Sequence, residues 1–124
     1  MKEPIRYLEN AKELLSKSPI EGKYYTDVKY VKSACGVAYL GVLEAIKEYL
    51  LSLGVTRKEL PKKVEEFRKA LQKHASLHNG KLIKEFDLLY DELHIAGYYH
   101  GTLHRVESVK STIKGAREFI AKLK

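Results

Sequence analysis

The stretch Ser33-Ala34-Cys35-Gly36-Val37-Ala38-Tyr39-Leu40-Gly41-Val42-Leu43 carries no charged side chain and decides the fold. Its apolar residues do not alternate in twos, so it does not read as a half-buried strand, and they point all round a helix. A helix without a polar face must be covered on more than one side. It is therefore either the central helix of a bundle or a helix shared with a second subunit. Ala34, Ala38, Gly41 and Ala45 form a ridge of small residues along it. Glycine inside a helix costs up to about 1 kcal/mol against alanine, so Gly36 and Gly41 point to a close backbone approach. Cys35 reads as a small buried hydrophobe with no adjacent base to make it a nucleophile.

Working outward, Thr26 and Asp27 offer caps before this helix and Gly54 a C-terminal stop, which predicts about 27 helical residues, or about 40 Å. Upstream, Pro4 suits a first turn, and Ile5, Leu8, Ala11 and Leu15 recur at helical steps until Ser18-Pro19. Residues 16–25 form the connection. Downstream, Thr56 and Glu59 have capping-box spacing before Pro61. Leu60, Val64, Phe67, Leu71, His74 and His78 then mark a third helix, ended by Asn79-Gly80. Leu82, Phe86, Leu89, Leu93, Ala96 and His100 mark a fourth, with a break expected around Gly97 to Gly101. Val106, Val109, Ile113, Ala116, Ile120 and Leu123 give the last helix a heptad. No segment alternates in twos, so no sheet is expected. The expectation is all-α: an antiparallel up-and-down bundle of four to five helices, forming one domain over residues 1–124.

Composition limits the function classes. The chain has 124 residues, 44% hydrophobic and 31% charged, a globular mixture. One cysteine excludes an internal disulfide and a Cys-rich zinc site. The uncharged stretch is about half the length of a membrane span, and Glu3, Arg6 and Glu9 interrupt any signal-peptide core. A cytoplasmic protein with no membrane contact is expected. The net charge is +7 and uneven: residues 54–80 and 100–124 each carry +4, while residues 81–99 carry −2. Such an excess attracts acidic protein partners or phosphate backbones. Most of the basic residues are Lys, which lacks the planar fork that reads phosphate bidentately, so any RNA contact is expected to be weak.

Five histidines are the chemistry to weigh. His74 with His78, and His100 with His104, have the spacing that puts two imidazoles on one helix face, and Asp91 with His94 adds an Asp-x-x-His step. If the third and fourth helices pair antiparallel, His74 lies level with Phe86, and His100 is roughly 20 Å further along. The two pairs cannot share an ion. No metal and no cofactor are expected. His74 and His100 continue apolar stripes and read as boundary residues.

A short first helix, a loop with Tyr24-Tyr25, the small-residue helix from Tyr30 to Leu40 and a closing stretch through Tyr98-Tyr99 to Arg117-Glu118-Phe119-Ile120 together resemble the HEPN superfamily, in a small bacterial branch. Ribonucleases of that superfamily carry Arg, four to six residues, then His, joined across a dimer into a metal-independent site. The matching place here reads His94-Ile95-Ala96-Gly97-Tyr98-Tyr99-His100, so His100 meets the motif histidine and His94 stands where the arginine would be. A neutral imidazole does not supply a fixed cation for a developing phosphorane charge. Arg68 and His74 have the Arg-x5-His spacing, but in the third helix. The resemblance therefore implies a non-enzymatic dimeric interaction module, a homodimer beside a nucleotidyltransferase-like or other acidic partner. The alternative is a divergent ribonuclease in which His100 is the acid–base group and His94 and Tyr98 aid phosphate binding.

Overall fold

The computed structural model describes residues 2–74 and 80–123. His78 and the expected stop at Asn79 lie outside the described residues. The first helix, α1 (Lys2–Ser16), buries Pro4, Leu8, Ala11 and Leu15. Its chain then makes a ladder that the sequence reading did not expect. Strands β1 (Ile20–Glu21) and β2 (Tyr24–Tyr25) pair antiparallel around Gly22, whose φ is +60°. Two-residue strands are too short to leave an alternating pattern, so the expectation of no sheet is corrected here. The hairpin is also pinned from outside. Tyr25 N–H donates to the His104 carbonyl and Val106 N–H to the Lys23 carbonyl, both at 2.9 Å.

The long helix α2 (Val28–Ser52) starts where expected, with Lys29 N–H donating to the Asp27 carboxylate at 3.2 Å. Gly54 follows its end at φ +95°. Ten of its residues are buried, and helices from both halves of the chain pack on it. Within the chain it is the central helix. The close approach at Gly41 is made by α1 of the same chain, because a Cβ there would lie 2.8 Å from Tyr7 Cβ and 3.1 Å from the Pro4 carbonyl oxygen.

The Thr56–Glu59 box forms, but on a single 3₁₀ turn (Arg57–Glu59), where the Glu59 carboxylate accepts from the Thr56 hydroxyl and N–H. Leu60, preceding Pro61, is extended (ψ 141°) and lies outside the third helix. That helix, α3 (Val64–His74), begins three residues after the proline, with the Glu66 carboxylate accepting from the N–H groups of Lys62 and Lys63.

Helix α4 (Lys81–Leu89) continues without a break into a π-helical segment (Tyr90–Tyr99). There the N–H of His100 donates to the carbonyl of Ile95 at 2.8 Å, five residues back. The wider turn moves the buried stripe. Leu82, Phe86, Leu89, Leu93 and Gly97 are buried, so the last two steps are both four residues. The expected stripe through Ala96 and His100 is therefore corrected: Gly97 takes the inner place and His100 is exposed. The last helix, α5 (Val106–Lys122), buries Val109, Ile113, Ala116 and Ile120 as the heptad predicts, and adds Thr112 and Phe119. Phe67, Phe86 and Phe119 meet at the centre of the core. Among the described residues no helix is long and apolar enough to cross a membrane.

Candidate functional site

The π-helical segment carries the residues that the sequence singled out. Tyr90, His94 and Tyr98 are spaced by four, and a turn closed by i→i+5 bonds keeps such residues near one face. Their rings form a ladder, with centroids 5.4 Å apart for Tyr90–His94 and 5.9 Å for His94–Tyr98. Tyr39 of α2 adds a fourth ring, stacked on His94 at 4.9 Å. Glycines bring the two elements this close. A Cβ at Gly36 would stand 2.9 Å from the Tyr98 ring, and one at Gly97 would stand 2.6 Å from Cys35 Cβ and Sγ. Past the segment, Gly101 at φ +65° lies over Val28 and Lys32.

The structure brings His94 and Tyr98 together and sets His100 apart. His94 is half-buried among three tyrosines, whereas His100 is exposed and meets Tyr99 edge-on at 5.2 Å. Burial, with Tyr90 nearby, pushes the Tyr39 phenol well above its ordinary value, so it stays neutral. Burial pushes the Cys35 thiol up to about 12, which leaves it protonated and a poor nucleophile. Arg68, the other candidate cation, is already engaged. Its guanidinium grips Asp87 of α4 through Nε at 2.7 Å and a second nitrogen at 3.1 Å, and Asp87 holds its pKa above the usual value. Among the described residues no three His, Cys, Asp or Glu side chains cluster as a metal site.

What faces solvent here is aromatic and aliphatic. Leu40, one turn on from Gly36, is 52% exposed, Tyr98 48% and Tyr99 68%. Sequence reasoning found the tyrosines but missed a concave feature elsewhere. Where the end of α1, the hairpin and α5 meet, a cavity of about 700 Å³ opens over Leu15 and Ile113, with Lys12, Lys110, Lys114 and Arg117 around it. The basic excess of residues 100–124 was its one sequence signal. The apposition of Lys12 depends on tertiary structure.

A solved structure, a protein of unknown function from Dyadobacter fermentans, is similar to this chain with a TM-score of 0.82 and 32% identity, covering 98% of this chain and 90% of that one. No curated protein matches. A domain of unknown function, DUF5618, matches residues 1–124, and the chain belongs to that family.

Proposed function

We propose that the protein is a HEPN-like, non-enzymatic interaction module that pairs with a second copy of itself through the aromatic face of α2 and the π-helical segment. One observation carries this reading. Two runs free of Asp, Glu, Lys and Arg, residues 33–43 and 93–104, pack side by side and leave Leu40, Tyr98 and Tyr99 exposed. Exposed apolar surface of this kind marks interaction sites. Two copies that each carry +7 repel, and neither of these two runs adds a lysine or arginine to that repulsion. Tyrosine suits the role, since it buries a ring and keeps a wet hydroxyl. The ribonuclease alternative has less support, because His94 is stacked among tyrosine rings and stands apart from the exposed His100.

Sedimentation of the wild type at micromolar concentration is expected to give a dimer, and Leu40→Glu/Tyr98→Glu a folded monomer. A wild-type monomer throughout that range would overturn the pairing. In the same preparations single-stranded RNA should stay intact without metal. Cleavage by the wild type that is lost in His100→Ala would establish the ribonuclease instead, since removing an acid–base group costs roughly 10²–10⁴ in rate.

A further inference from the structure

We infer that the groove between the end of α1, the hairpin and α5 binds an amphipathic carboxylate, an acyl chain of medium length with an anionic head. Its floor is apolar: Leu15, Tyr25 and Ile113 lie beneath it, 3–5% exposed, and Ile20 stands at its mouth, 52% exposed. Its rim is cationic. Lys12 comes from α1, and Lys110, Lys114 and Arg117 project from α5 at steps of four and three residues. No carboxylate lines the groove, and none of the four cations takes part in an ion pair among the described residues.

That combination selects the ligand. A neutral apolar molecule would cover the floor and leave four cations around it without a counter-charge. A small inorganic anion would satisfy the rim and leave the floor wet. A molecule with a tail and a negative head answers both, the head drawn by four cations with no carboxylate among the lining residues. Lysine and arginine stems also extend the apolar wall that a tail can lie against.

Size narrows the class further. The α5 wall from Lys110 to Arg117 runs about 10 Å at 1.5 Å per residue. A cavity of about 700 Å³ lies within the range of small-molecule sites. A stable protein partner would need roughly 800 Å² on each side, far more than this groove offers. Single-stranded RNA needs exposed rings to stack on, and the one ring here, Tyr25, is 5% exposed. The groove uses different elements from the aromatic face, so the inference stands apart from the dimer reading.

The test is calorimetric titration of decanoate into the full chain. Saturable binding at one site per chain is expected. Decyltrimethylammonium, with the same tail and the opposite charge, and acetate, with the head alone, should show none. Lys114→Gln/Arg117→Gln should weaken decanoate about tenfold or more, the worth of one charge-assisted contact. Ile20→Asp, at an exposed position, should weaken it as well, while Lys69→Gln/Lys73→Gln on α3 should not. Unchanged melting temperatures would show that these variants fold. Absence of saturable decanoate binding, equal binding of the cationic amphiphile or an unaltered affinity in Lys114→Gln/Arg117→Gln would each overturn the inference. Displacement of decanoate by an equimolar single-stranded RNA would reassign the groove to nucleic acid.

Discussion

Gly97 leaves no room for a methyl group, because its Cβ would lie 2.6 Å from Cys35 Cβ and Sγ and 3.1 Å from the Glu92 carbonyl oxygen. Gly97→Ala must push α2 and the π-helical segment apart, a change that costs about 1–3 kcal/mol. Gly115 of α5 is the opposite case. The nearest atom to its Cβ would be Leu89 Cδ2 at 3.8 Å, an ordinary contact. Alanine there gains helix propensity of up to about 1 kcal/mol. Thermal melts of the two variants should therefore move in opposite directions, Gly97→Ala down and Gly115→Ala up, and a shift of the same sign in both would contradict the packing described. The sequence marked Gly36 and Gly41 as points of close approach without naming what approaches. A small-residue ridge looks the same whether it meets its own chain or another. Only the fold shows that Tyr7 and Pro4 cover Gly41 and that Tyr98 lies over Gly36.

At the scale of the element, α3 depends on a carboxylate at its start. Glu66 accepts from the N–H groups of Lys62 and Lys63, and these bonds to its charged form hold its pKa below the usual 4.5. A depressed carboxylate stabilises the fold above its unfolded pKa and loses that contribution as pH falls through the folded value. Wild type should thus have a higher urea midpoint than Glu66→Gln at pH 7, with the gap closing below about pH 4.5. A gap that persists unchanged into acid would mean that the charge on Glu66 is not what caps the helix. The existence of each long helix was legible, because the helical period held over α1, α2 and α5 and caps bounded α2. Three details were not. The Thr56–Glu59 box was read correctly as a cap but assigned to the wrong element, since Pro61 forces Leu60 into an extended conformation and splits the turn from α3. The hairpin was too short to leave a pattern. The π-helical segment differs from α by one residue per turn, so its signature was only a second consecutive step of four, from Leu93 to Gly97.

Across the whole molecule, the two surfaces differ in how far the sequence could reveal them. The aromatic face was partly legible, since His94, Tyr98 and His100 fall within one short run. Their separation was not, because it follows from the helix type and places His94 in a stack and His100 in solvent. The basic groove was illegible beyond a charge count, as it joins residues about a hundred positions apart in sequence. The lone thiol has a further consequence at this scale. Cys35 is fully buried where α2 meets the π-helical segment, and it stays protonated. A disulfide reagent in solution reaches it only when those two elements separate, so the chain contains its own clock for spontaneous opening. Labelling under native conditions should run roughly a thousandfold or more slower than in urea-unfolded protein, as an opening free energy of a few kcal/mol requires. The rate should rise with denaturant in step with global unfolding. Labelling that ignores low denaturant would instead time a local parting of the two helices, at the seam where Gly97 lies against the sulfur.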